Sequence, residues 1–370
     1  MTDPKHTALH DEHAALGAVF TDFGGWDMPL RYASELAEHR AVRAAAGLFD
    51  LSHMGEIWVE GPDAARFLNT ALVGNLAVIA VGKAKYSLIC AEDGGIIDDL
   101  ISYRRAENRY LVVPNAGNAA VVAEALRERS RGFDVTVTDV SADTSLIAVQ
   151  GPNAVAILHA VMDASQHALV TDMKYYSADD ATVAGIDVLL ARTGYTGEDG
   201  FELYVPNAQA AELWRALLEA GAAYELIPAG LASRDSLRLE AGMPLYGNEL
   251  SRETNPFEAG LGPVVSFKKE EQFVGRSALE AVRETGPQRV LVGLRGDGRR
   301  AARSGYAVLS EGVTVGEITS GLPSPTLGYP VAIAYVQPEF AAPGTKLDVD
   351  LRGKAEPFEV VALPFYTRAS

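Results

Sequence analysis

The chain has 370 residues, of which 48% are hydrophobic and 22% are charged, and its formal net charge is -17. This length predicts two or three domains, and the composition is typical of a soluble globular protein. The negative charge argues against nucleic acid or an anionic membrane as the main partner. The single cysteine, Cys90, rules out a disulfide framework and favours a reducing compartment. Because neither a signal peptide nor an apolar run of about 20 residues is visible, we expect a cytoplasmic protein.

The N-terminal region is predicted to contain two helices. The first is short and carries His6, His10 and His13, which could share one face as metal ligands. No carboxylate or cysteine pattern completes such a site, so we expect a solvated helix and no metal. The second helix is predicted at residues 34–46, with a serine as N-cap and Gly47 as the stop signal.

A β-hairpin is predicted from Tyr86 to Tyr103, with an Asp-Gly turn that supplies the positive φ needed by tight hairpins. Its return strand contains Asp98 and Asp99, although aspartate disfavours strands. Because side chains alternate between the faces of a strand, one carboxylate would face an apolar environment, where it needs a partner or a function. The pattern alone favours the alternative, a solvated edge strand, and does not choose between the two aspartates.

Two short sequence landmarks occur twice and in the same order. A strand that runs into Gly61-Pro62 and a helix recurs at Gly151-Pro152, 90 residues later. The tetrapeptide Val-Pro-Asn-Ala at 113–116 recurs at 205–208, 92 residues later. The agreement of these offsets predicts two α+β units of similar topology. In this repeat, the hairpin with the two aspartates would correspond to the glycine-rich segment 191–200.

Glycines in that segment, Gly194, Gly197 and Gly200, resemble the composition of phosphate-binding loops. The spacing matches neither the dinucleotide nor the P-loop pattern, and no lysine follows. Glu198 and Asp199 would also repel a phosphate. We therefore expect no phosphate site in this segment.

The last third of the chain is predicted to change from helix to strand. A helix at 228–240 contains Arg234, which either joins a salt-bridged face or faces a cleft to hold a carboxylate. From about residue 285, short strands separated by Gly, Pro and Asp predict a separate all-β sandwich or barrel. This part contains a basic cluster in an otherwise acidic chain, formed by Arg299, Arg300 and Arg303.

Several stretches between about His10 and Tyr366 match one family. They are Asp22–Pro29, Phe49–Glu56, Gly94–Leu100, Arg192–Glu202, Thr254–Glu258 and Gly316–Gly321. On these motifs the chain resembles the T-protein family of the glycine cleavage system, which are tetrahydrofolate-dependent aminomethyltransferases. The resemblance implies an α+β fold with three domains in a ring: two related α+β units plus a C-terminal all-β barrel. It implies an interleaved folate-binding region at 1–275 and the barrel domain at 285–370.

The family reaction, as the resemblance implies it, begins with an aminomethyl group on the dihydrolipoyl arm of the H-protein, a lipoylated carrier. The one-carbon unit passes to tetrahydrofolate as co-substrate, ammonia is released, and methylene-tetrahydrofolate forms. The resemblance assigns Asp99 as the catalytic carboxylate. Residues matched to the folate site are Met54, Tyr86, Asn115, Tyr195, Glu202 and Arg234. Among these, Glu202 would hold the pterin, because a carboxylate accepts two N–H groups from an aminopterin edge.

Some features leave alternatives open. Met243 stands where some relatives carry a tyrosine, a departure from the family pattern. The same fold hosts folate-dependent demethylases and other one-carbon transferases, and a branch linked to iron–sulfur maintenance has a cysteine near 243–246, where this chain has none. A non-catalytic folate-binding regulator is the non-enzyme alternative, which the presence of Asp99 disfavours. For the acidic carrier we expect docking at Arg299, Arg300 and Arg303, where the local charge is reversed. The alternative there is an ordinary solvated loop.

Overall fold

Helices and strands both occur up to Thr285, and strands predominate after it, in the computed structural model, which describes residues 3–368. The helices are α1 (His10–Ala15), α2 (Glu35–Ala44), α3 (Ala64–Ala71), α4 (Ala119–Arg129), α5 (Ala154–Val161), α6 (His167–Asp172), α7 (Asn207–Gly221), α8 (Leu231–Glu240) and α9 (Arg276–Thr285). The strands before α8 are β1 (Val19–Phe23), β2 (Trp26–Arg31), β3 (Ala46–Asp50), β4 (Ile57–Glu60), β5 (Ala84–Cys90), β6 (Ile96–Ala106), β7 (Arg109–Pro114), β8 (Thr136–Asp139), β9 (Thr144–Gln150), β10 (Ser177–Val183), β11 (Ile186–Arg192), β12 (Gly200–Pro206) and β13 (Leu226–Pro228). The strands after α9 are β14 (Val290–Gly296), β15 (Ala307–Ser310), β16 (Val313–Pro323), β17 (Pro330–Val336), β18 (Lys346–Asp350) and β19 (Ala355–Val361).

The chain divides into two units. Unit 1 comprises the chain up to Leu68, Leu76–Tyr86 and Leu100–Asp235. Unit 2 comprises Asn69–Asn75, Ser87–Asp99 and the chain from Ser236 onwards. The division at residues 275 and 285 expected from the sequence stays a prediction. Among residues 3–368, no helix has both the length and the apolar character needed to cross a membrane.

The two repeats exchange a strand within unit 1. The strand β3 precedes β4 in the chain, yet it pairs with β9, the first strand of the second repeat (Gly47 opposite Gln150). The strand β8 precedes β9, yet it pairs with β4 of the first repeat. The resulting sheet orders are β5-β6-β7-β4-β8 and β10-β11-β12-β9-β3-β13. The predicted pair of related α+β units is confirmed, and the exchange explains how the two are interleaved.

Two predicted helix boundaries were wrong. The helix α2 begins after Ser34, whose side chain accepts a hydrogen bond from the Ala37 N–H as an N-cap, but it ends at Ala44. Gly47 is not its stop signal: it lies inside β3, where a Cβ would overlap Val42. The helix α8 begins at Leu231, because residues 226–228 form β13 and pair in parallel with β3.

The core of unit 1 lies between its second sheet and α5, α6 and α7. Alternating apolar side chains of β9, β11 and β12 point to this core, which also contains Trp214 with no exposed surface. A second structural group is polar: His13 Nε2 lies 2.9 Å from Asp50 Oδ2, and both residues are buried. Burial alone would raise the pKa of Asp50, but hydrogen bonds from His13, Ser52 and Thr7 hold it below the usual value. The prediction that the three N-terminal histidines lie on a solvated helix was therefore wrong for His13, which is buried.

The C-terminal strands form a closed barrel within unit 2, in the order β14-β17-β16-β15-β18-β19. Three of its strands, β16, β18 and β19, alternate between buried and less buried residues, as Leu347 and Val349 of β18 show. The strand β17 is buried throughout. Its Ala332 and Ala334 face the barrel interior, whereas Val331 and Ile333 pack with Leu239. The predicted α+β class and the predicted all-β barrel are confirmed.

Candidate active site

The first candidate region is a buried carboxylate at the centre of unit 1. Glu202 lies on β12 between β11 and β9, and its side chain is 8% exposed. One oxygen, Oε2, accepts hydrogen bonds from Thr193 Oγ1 at 2.5 Å and from the Tyr103 hydroxyl at 3.4 Å. Burial raises the pKa of Glu202, and Thr193 and Arg234 oppose that rise. Within residues 3–368, no hydrogen bond reaches its second oxygen, Oε1.

Arg234, on the first turns of α8, completes this region. Its guanidinium carbon lies 4.8 Å from the centre of the Tyr195 ring, a cation–π contact. Burial lowers the pKa of Arg234, while the charge of Glu202 and the hydroxyl of Tyr195 act in the opposite direction. Its Nη1 is buried and has no hydrogen-bond partner in the described part of the chain. A buried donor without a partner is costly, so a ligand that accepts from Nη1 would be bound strongly.

Five further residues of unit 1 carry buried polar atoms that find no partner among residues 3–368. These atoms are His53 Nδ1, both carboxylate oxygens of Glu56, Ser102 Oγ, Arg104 Nε and Trp214 Nε1. Burial lowers the pKa of His53 to about 4, so its ring is neutral near pH 7. Burial also raises the pKa of Glu56 well above its usual value, with Asp139 as the second cause. Within the motif Phe49–Glu56, the sequence predicted only Met54 as a site residue. The missed signal was a histidine and a glutamate placed directly before the apolar strand β4.

The other residues predicted for the folate site also belong to unit 1. Met54, Tyr86 and Asn115 are each partly buried. A cation–π contact joins Arg234 to Tyr195, and the charges of Glu202 and Arg234 act on each other's pKa, while the roles of all six residues stay predictions. Met243 lies in unit 2, where its backbone N–H donates to the Arg238 carbonyl at 2.9 Å.

The glycine-rich segment connects β11 to β12. Its acids are paired, since Arg192 binds Asp199 through two hydrogen bonds of 2.9 and 2.6 Å and Arg43 binds Glu198 at 2.9 Å. A Cβ at Gly194 or Gly200 would overlap the side-chain amide of Gln150. Close packing on this amide therefore accounts for the two glycines, in agreement with the rejected phosphate site. In the first repeat the equivalent connection is the short turn between β6 and β7, so the predicted equivalence with the aspartate hairpin was wrong.

The second candidate region contains the paired aspartates in unit 2. The predicted hairpin is present as β5 and β6, and Gly94 in its turn has φ of 86°. Asp98 has no exposed surface, whereas Asp99 is partly exposed. Burial raises the pKa of Tyr246, as do Asp98 and Asp99, while Arg252 opposes the rise. The prediction of a solvated edge strand was wrong, because β6 lies between β5 and β7 in its sheet. Of the two carboxylates, only Asp99 offers surface to a reactant.

The three arginines of the basic cluster predicted for carrier docking do not all line the same cavity. Arg299 and Arg300 are exposed and line a cavity of about 230 Å³ together with Lys354, Glu356 and Phe358. Arg303 is exposed as well, but its Nη1 donates to the Gly321 carbonyl at 3.1 Å. Three cations against a single carboxylate make the wall of the cavity positive.

Comparison with known families assigns both halves of the chain. Residues 9–269 match the family described as the GCVT N-terminal domain, and residues 289–367 match the glycine cleavage T-protein C-terminal barrel domain. The chain belongs to the glycine cleavage T-protein family. The predicted family is thereby confirmed.

Relatives within the T-protein family extend over the full chain. The aminomethyltransferase of Streptomyces avermitilis is 60% identical and is covered to 98%, with 99% of this chain aligned. The aminomethyltransferase of Shouchella clausii is 46% identical, with 98% of both chains aligned. The crystal structure of the glycine cleavage system aminomethyltransferase T from Bartonella henselae superposes with a TM-score of 0.91, at 38% identity and 98% coverage of both chains. The predicted enzyme class, aminomethyltransferase, is confirmed.

Proposed function

We propose that this aminomethyltransferase moves the one-carbon unit from the aminomethyl-dihydrolipoyl arm of a lipoylated H-protein to tetrahydrofolate. The products are methylene-tetrahydrofolate, ammonia and the free dihydrolipoyl arm of the carrier. The observation that carries the proposal is the pair formed by Glu202 and Arg234, in which Glu202 Oε1 and Arg234 Nη1 have no hydrogen-bond partner among residues 3–368. The sequence contains a single cysteine, Cys90, and so no disulfide within the chain, which supports a cytoplasmic location.

Tetrahydrofolate fits the donor and acceptor pattern of this pair. The pterin ring carries adjacent N–H donors on one edge, which suit Glu202 Oε1, and a carbonyl acceptor, which suits Arg234 Nη1. The Thr193 and Tyr103 hydroxyls hold Oε2, so the carboxylate is oriented before the ligand arrives. Tyr195 holds the guanidinium through its ring face. Met54, Tyr86 and Asn115 supply the remaining wall of the site in this proposal.

Asp99 is the proposed catalytic carboxylate. Its charge favours the folate nitrogen as a nucleophile toward the aminomethyl carbon, either electrostatically or by accepting a proton. The partial exposure of Asp99 and the complete burial of Asp98 support this choice between the two. The protein supplies orientation and charge, and the carbon acceptor is the folate itself.

An assay with lipoylated carrier and tetrahydrofolate tests the activity and the role of Asp99 together. Asp99→Asn keeps the shape and removes the charge, so turnover should fall by about two orders of magnitude while the circular dichroism spectrum stays unchanged. The matched variant is Asp98→Asn. Full turnover in Asp99→Asn together with loss of turnover in a folded Asp98→Asn would assign the role to Asp98.

Carrier docking is proposed at the basic cluster of Arg299, Arg300 and Arg303. Replacing all three by Ser should raise the KM for carrier and leave the KM for folate unchanged. In the wild type, the KM for carrier should rise with salt, since exposed charges are screened beyond about 10 Å at 0.1 M. The control variant replaces Arg127, Arg129 and Arg131 by Ser, which changes the net charge equally. Normal carrier kinetics in the first variant at low salt would place the docking site elsewhere.

A further inference from the structure

Two buried tyrosine hydroxyls connect Glu202 to the interior of unit 1. The Tyr103 hydroxyl donates to Glu202 Oε2 at 3.4 Å, and the Tyr204 hydroxyl donates to the Tyr103 hydroxyl, also at 3.4 Å. Thr193 Oγ1 lies 3.0 Å from the Tyr103 hydroxyl and donates to the same carboxylate oxygen at 2.5 Å. The hydroxyls of Tyr103, Tyr204 and Thr193 thus form one hydroxyl network that ends on Glu202.

Strands of both repeats supply the hydroxyl network. Tyr103 lies on β6 of the first sheet, whereas Glu202 and Tyr204 lie two residues apart on β12 of the second and therefore share one face of that strand. The two tyrosine rings meet edge to face, with centroids 6.0 Å apart and an angle of 74° between their planes. Tyr103 has no exposed surface and Tyr204 is 6% exposed. Burial and ring packing therefore hold both hydroxyls in place.

The directions of the hydroxyl protons suit an ionised Glu202. Each hydroxyl carries a single proton. Because Tyr204 donates to Tyr103, the Tyr103 oxygen is an acceptor there and its own proton is directed to Glu202. Thr193 donates to the same carboxylate oxygen. Two donors on one oxygen favour the charged form of a carboxylate.

We propose that Tyr103 and Tyr204 are positioning residues of the folate site, which hold Glu202 ionised with Oε1 directed at the pterin. The inference rests on the proposed function and extends it to two residues that act through Glu202. An ionised carboxylate only accepts hydrogen bonds, as the N–H edge of a pterin requires, whereas a protonated one would present a proton of its own. The bond from Tyr204 polarises the Tyr103 hydroxyl and strengthens its donation to Glu202.

The groups around Glu202 act for and against its ionisation. Burial raises the pKa of Glu202, and the hydrogen bond from Thr193, the charge of Arg234 and the hydrogen bond from Tyr103 oppose that rise. Arg234 comes from α8 and Thr193 follows β11, so Tyr103 is the contribution of the first repeat to this balance. Removing its hydroxyl should shift the balance toward the protonated carboxyl.

The groups around the two tyrosines keep them as donors. Burial raises the pKa of both hydroxyls well above the usual value. Glu202 raises the pKa of both as well, Tyr176 directly before β10 raises that of Tyr103, and Glu56 directly before β4 raises that of Tyr204. Neither tyrosine therefore loses its proton near neutral pH.

The experiment is calorimetric titration of tetrahydrofolate into the full chain, between about pH 5 and pH 8, for the wild type, Tyr103→Phe and Tyr204→Phe. Each substitution removes one hydroxyl and keeps the ring. At pH 7 the affinity should fall by about tenfold in Tyr103→Phe and by about threefold in Tyr204→Phe. Because loss of a donor raises the pKa of Glu202, both variants should lose affinity at a higher pH than the wild type does when the pH is lowered. The control Tyr110→Phe removes a buried hydroxyl of β7 that donates to the Leu76 carbonyl, and it should match the wild type.

A second background separates control of ionisation from support of the fold. Glu202→Gln has no carboxylate to ionise, so adding Tyr204→Phe to it should change the affinity for tetrahydrofolate by less than about twofold at every pH. A tyrosine that only supports the fold would weaken binding equally with and without the carboxylate.

Three results would overturn the inference. One is wild-type affinity and pH dependence in folded Tyr103→Phe and Tyr204→Phe. Another is weaker binding whose pH dependence is unchanged, or whose loss is the same in the Glu202→Gln background. The third is an equal loss in Tyr110→Phe. Each of these leaves the proposed function standing as long as the wild type binds tetrahydrofolate, whereas a wild type that binds none contradicts the proposed function and this inference with it.

Discussion

Two arginines, one helical turn apart on α8, have opposite surroundings. In unit 2, Arg238 is 1% exposed and is fully engaged: Nη1 binds Glu249 Oε2 at 2.8 Å and the Met243 carbonyl at 3.2 Å, and Nη2 binds Ser320 Oγ at 2.8 Å. In unit 1, Arg234 has a ring contact with Tyr195 and a buried Nη1 that no described residue binds.

The acids that accompany the two arginines differ in the same way. Both oxygens of Glu249 accept hydrogen bonds, Oε2 from Arg238 and from the Leu245 N–H, and Oε1 from Thr319 Oγ1. Among residues 3–368, hydrogen bonds reach one oxygen of Glu202, Oε2, and not the other. A buried ion pair with every atom partnered holds a fold together, whereas buried opposite charges with unpartnered atoms are available to a ligand. The comparison thus separates a structural arginine from a binding arginine on one helix.

The largest expected effect is on stability and concerns Arg238. Arg238→Met removes one partner of a buried pair and leaves the charge of Glu249 uncompensated, which should lower the free energy of unfolding by about 3–5 kcal/mol. Arg234→Met removes a guanidinium whose buried Nη1 has no hydrogen-bond partner among residues 3–368, so it should lower the free energy of unfolding by less than Arg238→Met does. Urea unfolding of the two variants measures the difference. Equal destabilisation of both variants would contradict the distinction between a structural Arg238 and a binding Arg234.

A smaller effect is expected from pH, through the buried His53 of unit 1. Its pKa is about 4 in the folded chain against 6.5 for the free side chain, so between these values the unfolded chain binds the proton and the folded chain does not. Stability should therefore fall as the pH falls from 6.5 toward 4, by up to about 3 kcal/mol from this residue. His53→Gln should flatten that part of the curve in urea unfolding at several pH values. An unchanged slope would mean that His53 has the same pKa in the folded and unfolded chains.

The sequence predicted those parts of this picture that depend on local pattern. Hairpin turn chemistry located β5 and β6, short punctuated strands located the barrel, and matched motifs selected Glu202, Arg234 and Asp99. It could not predict that Gly47 would lie in a strand, because the exchange of β3 and β8 between repeats depends on contacts about 90 residues apart in the chain. It also missed His53 and Glu56, since burial without a partner is a property of three-dimensional packing.

The measurement that tests the account most directly is calorimetric titration of tetrahydrofolate into the wild type, Glu202→Gln and Arg234→Met. Each variant should bind more weakly by about 1–3 kcal/mol, the range for a charged hydrogen bond left unmade. Glu60→Gln, which removes a surface carboxylate paired with Arg109, should bind as the wild type does. If the wild type, Glu202→Gln and Arg234→Met all have the same affinity, the pair of Glu202 and Arg234 is not the folate site.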